Sequence, residues 1–153
     1  MKDLHNSVEV RRTISPQSVA NNTTIYGQVI DRNGYDALEF VIALGNLADS
    51  DATFSVKVQE SDNENFASCS AVADANLLGL ESAAAWTYAS DDLTRRIGVA
   101  NTKRYVRIVV TPSGNSAAAL LAVVAVLAYP KVGPASYTPD TGLGTGSGSG
   151  TDA

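Results

Sequence analysis

Few residues of the kinds that usually carry chemistry occur in this chain of 153 residues. It contains a single cysteine, Cys69, and a single histidine, His5. One cysteine excludes an intrachain disulfide and a cysteine-rich zinc site, and a histidine-dependent triad would rest entirely on His5. The local sequence supplies no cationic neighbour that would activate Cys69, so we expect a buried, inert thiol. We expect no catalytic residue, no metal site and no cofactor.

Charge is also scarce, because Asp, Glu, Lys and Arg together make up 18% of the residues, against roughly 25% in typical domains. The net charge is −5. The basic residues come mainly in short pairs, such as Arg11–Arg12, Arg95–Arg96 and Lys103–Arg104. A surface that binds phosphates needs clustered basic residues, so we expect no direct contact with nucleic acid. A surface this poor in charge is either covered by partners or kept soluble by Ser, Thr, Asn and Gly.

No apolar segment is long enough to cross a membrane as a helix. The most apolar stretch, Ala117–Tyr129, has 13 residues, whereas a transmembrane helix needs about 20. The first thirty positions contain no apolar segment typical of a secretory signal. We therefore expect a soluble protein that is made in the cytoplasm and has no membrane partner.

Alternation of apolar and polar residues with period two dominates the chain and predicts strands. It is clearest in Asp36–Leu44, Thr53–Gln59 and Tyr105–Thr111, the last of which we expect to end at Pro112. The whole pattern, with turns every 8–12 residues, indicates about eight short strands. We predict an all-β fold, a jelly-roll-like sandwich of two sheets. The predicted core consists of Phe40, Ile42, Phe54, Val56, Val58, Val106, Ile108, Val110, Val124 and Val126.

Two hairpins are predicted from the turn residues. Asn33–Gly34 is a strong hairpin signal and should join the strands on either side of it. Ala117–Tyr129 reads as a buried strand rather than a buried helix, because valines fill its centre and Pro130 closes it. We expect this strand to pair with Tyr105–Thr111 across a turn at Ser113–Asn115.

Changes in composition divide the chain into an N-terminal arm (1–6), a β-sandwich domain (7–132) and a Gly/Ser-rich C-terminal tail (133–153). The segment from Gly142 to Gly150 holds five of the chain's 12 glycines. It has neither the Lys-Ser/Thr pair of a phosphate loop nor the Gly-x-Ser-x-Gly string of a nucleophile elbow. We interpret it as a linker or docking tail.

Two residue pairs keep alternative functions open. Trp86 and Tyr88 would share one face of a strand, where an exposed pair could stack on a sugar ring and a buried pair would anchor a core or an interface. Glu39 and Glu60 could form the carboxylate pair of a glycoside hydrolase, although a chain with 16 acidic residues offers many such pairs. We expect that the protein is not an enzyme, with a carboxylate-only hydrolase as the remaining exception.

Three segments, Lys103–Asn115, Tyr26–Tyr35 and Phe54–Ser61, together with the aliphatic run up to Lys131, resemble small auxiliary head proteins of tailed bacteriophages. These are cement or decoration proteins, and the resemblance extends over residues 8–132. It implies a jelly-roll-like domain on the outside of an icosahedral capsid that bridges neighbouring subunits. The implied partners are the major capsid protein and further copies of the chain, as a dimer or trimer. The implied location is the virion surface, and the family offers no catalytic motif to transfer.

On this interpretation the termini, Met1–Arg12 and Lys131–Ala153, should reach across to neighbouring subunits. Arg11 and Arg12 are the predicted partners of acidic capsid side chains, and Tyr137 is the predicted apolar anchor of the tail. A carbohydrate- or receptor-binding virion sandwich and a structural protein of the tail or neck are the alternatives.

Overall fold

A computed structural model describes residues 3–132, which form two antiparallel β-sheets. The predicted tail, including Tyr137, lies outside the described residues. A short helix, α1, covers Glu81–Ala84, and 3₁₀ turns cover Asp74–Asn76 and Tyr88–Ser90. The strands of the described part are β1 (Val8–Val19), β2 (Ile25–Tyr26), β3 (Ile30–Asp31), β4 (Tyr35–Leu47), β5 (Thr53–Ser61), β6 (Ser70–Ala71), β7 (Leu77–Leu78), β8 (Trp86–Thr87), β9 (Thr94–Val99), β10 (Tyr105–Ser113) and β11 (Ala119–Pro130).

The two sheets are assembled from strands that are distant in sequence. Sheet A has the order β1-β11-β4-β9-β7, and sheet B has the order β2-β10-β5-β6, with β3 also paired to β10 and β8 to β5. The sheets pack face to face around one main core. The predicted all-β, jelly-roll-like sandwich is confirmed.

Apolar side chains at alternate positions of the strands fill the core from both sheets. Phe40 and Ile42 of β4 point inward from sheet A, and Val58 of β5 points inward from sheet B; all three are fully buried. Trp86, only 3% exposed, stacks on Phe54 with the ring centroids 5.2 Å apart and the planes within 10°. The predicted core positions in β4, β5 and β10 are confirmed.

The predicted core positions in β11 are wrong by one residue. Val123, Ala125 and Leu127 have no exposed surface and face the core, whereas Val124 and Val126 are only partly buried on the opposite side of sheet A. Side chains alternate between the two faces of a strand, so a shift of one residue exchanges the faces completely. An aliphatic run that is apolar at nearly every position carries no signal for which alternate set lies inside.

Both predicted hairpins are corrected as well. Ala117–Tyr129 is largely a strand, as expected, but it pairs with β1 and β4 in sheet A, whereas β10 lies in sheet B. Asn33–Gly34 does form a turn, with Gly34 at a φ of 92° and the amide of Tyr35 donating to the carbonyl of Arg32 at 3.1 Å. This turn also connects the two sheets, because it leads from β3 to β4.

β10 continues through Pro112 to Ser113 instead of ending before the proline. Pro112 lies opposite Phe54 of β5, while β2 pairs with β10 only at Val109 and Val110. Beyond Val110, β10 is therefore not paired with β2 along the edge that faces away from β5. A proline is tolerated there because its missing N–H is not required for pairing.

The N-terminal residues enter the sheet earlier than the arm interpretation required. Val8 lies opposite Ala128 and Arg12 opposite Val124 in the pairing of β1 with β11. The expectation that Met1–Arg12 as a whole extends to a neighbouring subunit is therefore wrong for residues 8–12. Ahead of them, the amide of Ser7 donates to the carbonyl of Leu4 at 3.1 Å and forms a turn.

Charged contacts link β1 to sheet B at one side of the sandwich. The carboxylate of Asp31 accepts Nε and Nη2 of Arg104 at 2.9 and 2.8 Å and the amide of Asn33 at 3.0 Å. Arg11 donates from Nη1 to the carbonyl of Asp31 at 3.1 Å and pairs with Glu9 at 2.9 Å. The hydrogen bonds from Arg104, more than any other contact, hold the pKa of Asp31 below its ordinary value of 3.8.

The register of β11 predicts unequal effects of two neighbouring substitutions. Leu127→Ala removes a fully buried side chain and should lower the free energy of unfolding by about 2–5 kcal/mol. Val126→Ala, on the outer side, should lower it by less than about 1.5 kcal/mol. Urea unfolding of both variants measures the difference. A larger loss for Val126→Ala would contradict the assigned register.

The Asp31–Arg104 pair predicts a loss of stability in acid. Because the folded-state pKa of Asp31 lies below 3.8, its contribution is complete above that ordinary value and is lost as the pH falls through the folded pKa. Arg104→Gln should raise the pKa of Asp31 and reduce this dependence on pH. Carboxyl ¹³C titration of Asp31 checks the first effect, with Lys57→Gln on the exposed surface as control. An unchanged titration in Arg104→Gln would contradict the prediction.

Candidate functional site

The outward surface of sheet A, which we call the sheet A face, is built mainly from aliphatic residues. Strand pairing aligns side chains of β1, β11, β4, β9 and β7 in rows across it. The charged members are Arg12, Glu39 and Arg96. The aliphatic, alanine and glycine members are Val8, Val10, Ala37, Val41, Ala43, Gly45, Leu78, Gly98, Leu120, Ala122, Val124, Val126 and Ala128.

Residues 3–132 contain no element that covers this face. Val10 is 49% exposed, Leu120 is 44% exposed and Leu78 is 56% exposed, and the valines between them are partly exposed. Leaving aliphatic side chains in water costs free energy in proportion to their area. Contiguous exposed apolar patches of this kind are typical of interaction surfaces.

The size of the sheet A face falls in the range of protein interfaces. The rows from Leu120 to Ala128 on β11 extend over roughly 27 Å at about 3.4 Å per residue, and four strands about 4.8 Å apart give a width of roughly 19 Å. The projected area is thus on the order of 500 Å². The accessible area of such a surface is larger than its projection and approaches the roughly 800 Å² that each partner contributes to a standard interface.

Grooves extend the sheet A face at both ends of β11. At one end Leu120 lies over Gly45 beside a groove of about 530 Å³. At the other, Leu4, Ala128 and Tyr129 line a groove of about 470 Å³. The Tyr129 ring is 73% exposed, so the apolar surface continues past the last full row.

The three charged side chains of the face lie in the two adjacent rows that contain Val124 and Val126. Arg96 places Nε 3.8 Å from Oε1 of Glu39, and the Glu39 carboxylate lies beside Gly98, where an added Cβ would come within 2.5 Å of Oε2. Arg12 donates from Nη1 to Oγ of Ser15 at 2.6 Å. The face therefore presents a positive row next to a negative group rather than a uniform charge.

Alternation along β1 separates the two arginines that the sequence analysis treated together. Arg12 lies on the sheet A face, opposite Val124. Arg11 lies on the other side of β1, bound to Glu9 and to the carbonyl of Asp31. The capsid contacts assigned to Arg11, Arg12 and Tyr137 stay predictions.

The outward surface of sheet B differs in character. Lys57, Gln59 and Thr111 lie on it, and the guanidinium of Arg107 lies between two aromatic rings, 4.7 Å from the centroid of Tyr26 and 4.4 Å from that of Phe66. Nε of Arg107 donates to Oε1 of Gln59 at 2.9 Å. Because Tyr26 is 60% exposed, its ring is a second candidate for ligand contact.

Several candidates from the sequence are placed elsewhere. Trp86 and Tyr88 do not share a face, since Trp86 is in the core while Tyr88 begins a 3₁₀ turn and is exposed. Glu39 lies in sheet A and Glu60 in sheet B, where Glu60 accepts the amide of Lys103 at 2.9 Å. These positions do not bring the two carboxylates together as a pair.

Cys69 is exposed, so the expectation of a buried thiol is wrong. His5 is also exposed, in the turn before β1. Within residues 3–132, no three His, Cys, Asp or Glu side chains are grouped so that they could hold a metal ion. Over the same residues, no helix has the length and apolar character needed to span a membrane.

Sequence reasoning missed the sheet A face, although one signal for it was present. In β4 the outward positions Ala37, Val41 and Ala43 are apolar, as are the inward positions that alternate with them. A strand that is apolar on both sides is either covered by a second layer or lies at a surface that binds a partner. Two adjacent strands of this kind, β4 and β11, make the signal stronger.

A scan against profiles of protein families finds no match, and a search of curated proteins also finds none. Among solved structures, the chain is similar to the PBSX exported protein XepA, with 13% identity and a TM-score of 0.53. The similar region covers 86% of this chain and 40% of XepA, so the chain spans less than half of that protein's length.

Two further similarities are to carbohydrate-binding modules. A Clostridium thermocellum xylanase 10B structure with CBM22-1 and GH10 modules gives a TM-score of 0.43 at 8% identity, over 89% of this chain and 27% of that one. The xylan-binding module CBM15 gives 0.36 at 16% identity, over 86% and 96%. At these low identities, what the comparisons establish is a β-sandwich fold that the chain shares with part of XepA.

Proposed function

We propose that this chain is a non-catalytic structural protein of a phage particle and that it binds its protein partner through the sheet A face. The observation that carries the proposal is the aliphatic surface of β1, β11 and β4, which residues 3–132 leave uncovered. The centre of a protein interface is depleted in charged residues and matches a folded core in packing. A broad surface formed by Val10, Val124 and Val126 has that composition.

Two considerations support the phage context. The strand pattern over residues 8–132 resembles auxiliary head proteins of tailed phages, and XepA, whose fold the chain shares, is itself a phage (PBSX) protein. In the finer form of the proposal, the chain binds the outside of a capsid and bridges neighbouring copies of the major capsid protein. The sandwich supplies a rigid body that holds the sheet A face flat.

Bridging of this kind does not require a tight individual contact. The cost of association offsets much of the free energy gained by burying an interface of standard size. A closed shell, however, carries many identical sites, and a protein that contacts two of them at once benefits from a high effective concentration. Modest contacts repeated over a shell therefore stabilise it against rupture.

A charge placed in the middle of the sheet A face should prevent binding. Val124→Lys is expected to reduce occupancy on purified shells of the capsid protein encoded with this chain by at least about tenfold, because a further cation would be desolvated in the row that already holds Arg12 and Arg96. Occupancy is measured by co-sedimentation, and the rupture temperature of the shells by calorimetry.

Thr111→Lys adds the same charge to the exposed side of sheet B and serves as the matched control. Thermal melts establish that both variants are folded. Equal occupancy of Val124→Lys and Thr111→Lys would exclude the sheet A face as the binding surface.

A second candidate function, carbohydrate binding, is favoured by the exposed ring of Tyr26. Arg107 lies over this ring at 4.7 Å from its centroid, and Nε of the same arginine donates to Oε1 of Gln59 at 2.9 Å. A sugar ring stacks on an aromatic face while planar polar groups bind its hydroxyls. This proposal depends on the Tyr26 surface and not on Trp86, which is buried.

If sheet B binds sugars, Tyr26→Ala should abolish any signal that the wild-type chain gives on a glycan array, because stacking on the ring is lost. Tyr88→Ala removes a comparably exposed tyrosine from a 3₁₀ turn and should leave that signal unchanged. Absence of a wild-type signal, or equal loss in both variants, would contradict a sugar site at Tyr26.

A further inference from the structure

We infer that the sheet A face binds the same face of a second copy of this chain, so that two sandwiches pack back to back about a two-fold axis. This inference rests on the proposed function in one respect, since it takes the sheet A face as the surface that binds a protein. It makes a second copy, and not the capsid protein, the occupant of that face, so the dimer would contact the capsid through its other surfaces. It follows from the size of the face, the position of its charges and the absence of a side chain at Gly98.

The area of the face is adequate for a symmetric dimer. Two copies of a surface on the order of 500 Å² in projection would bury about 1,000 Å² or more, which is the size at which a specific interface becomes credible. In aligned sandwiches, twisted β-sheets pack face to face with their mean strand directions about 30° apart. The part-exposed valines of β11 and β4 would then form a third apolar layer, comparable to the core on their other side.

The charges on the face complement themselves under one specific symmetry. Val126 shares a row with Glu39 and Gly98, and the adjacent row holds Val124 and Arg96. Consider a two-fold axis that is perpendicular to the strands and midway between these rows. It places the row with Glu39 of one copy against the row with Arg96 of the other copy, and the reverse. The guanidinium of each Arg96 then faces the row that contains Glu39 of the second copy.

Gly98 makes room for the carboxylate that takes part in this contact, because a Cβ added at Gly98 would lie 2.5 Å from Oε2 of Glu39. The glycine lies on β9 in the row onto which the axis brings Arg96 of the second copy, and it contributes no side chain of its own. The Arg96 side chain is 80% exposed and its Nε is already 3.8 Å from Oε1 of Glu39 in the same chain. Dimerisation would therefore set each carboxylate between two guanidinium groups without moving the backbone.

The other simple arrangement is disfavoured by charge. An axis parallel to the strands would bring β1 of one copy over β9 of the other, within the same row. Arg12 and Arg96 both align with the Val124–Val41 pair, so the two guanidinium groups would face each other. Like charges in an interface cost free energy, which selects the axis that runs across the strands.

Charge reversal tests this arrangement directly in the full chain. In the Glu39→Arg variant, each Arg96 would face an arginine of the second copy and be repelled by it. In the Arg96→Glu variant, each new glutamate would face Glu39 of the second copy and be repelled by it. Each variant alone should dimerise with a Kd at least about tenfold higher than the wild type. An equimolar mixture should form a heterodimer, because each Arg then faces a Glu across the axis.

Sedimentation equilibrium over a concentration series measures the Kd of wild type, each variant and the mixture. Lys57→Glu, which reverses a charge on the exposed side of sheet B, is the control and should dimerise like the wild type. Rescue in the mixture is a result that misfolding of either variant cannot produce. Val10→Lys, at the edge of the face, provides a second disruption and should also weaken the dimer.

A wild-type chain that stays monomeric, or a dimer that neither reversal weakens, would overturn the inference. So would two weakened variants that fail to restore a dimer when mixed. A monomeric wild type whose shell occupancy still depends on Val124 would leave the proposed function standing with a different partner on this face. A rescued dimer that does not bind shells would support the second copy and contradict the capsid role.

Discussion

The interior position of β11 in sheet A, between β1 and β4, is the constraint on which the core and the sheet A face both depend. β11 is hydrogen-bonded to β1 along one edge and to β4 along the other, so each of its side chains points either into the sandwich or away from it. The strand is aliphatic at nearly every position. Filling the core with Val123, Ala125 and Leu127 therefore presents Val124 and Val126 on the outside, and both faces arise from one register.

The strands next to β11 extend its outer row of aliphatic side chains into a surface several strands wide. β4 places small apolar residues outward beside β11, and Gly98 of β9 leaves the space in which the Glu39 carboxylate lies. Sheet B has no comparable pair of strands, since β5 alternates Phe54, Val56 and Val58 with polar residues. One side of the sandwich thus exposes alternating polar side chains, whereas the other exposes mainly aliphatic ones.

Placement of the few charges on sheet A depends on the same alternation. Arg11 and Arg12 are adjacent in sequence, yet one binds Asp31 at the side of the sandwich and the other lies on the sheet A face. Glu39 and Arg96 belong to segments far apart in the chain and meet because β4 pairs with β9. Together they give the apolar face an asymmetric charge distribution, which a uniformly aliphatic surface would lack.

The sequence by itself determined the fold class, most of the core and the places where the chain turns. Period-two alternation in β4, β5 and β10 is a local property and identified their buried residues correctly, and Asn33–Gly34 marked a turn where one occurs. Only the tertiary structure decided which strands that turn connects, that β10 and β11 belong to different sheets, and which side of β11 faces inward. Strand pairing is set by contacts between distant residues, and an aliphatic run is equally apolar on both sides. The sheet A face was therefore not recognised from the sequence, because much of it lies in a segment that sequence analysis assigned to the interior.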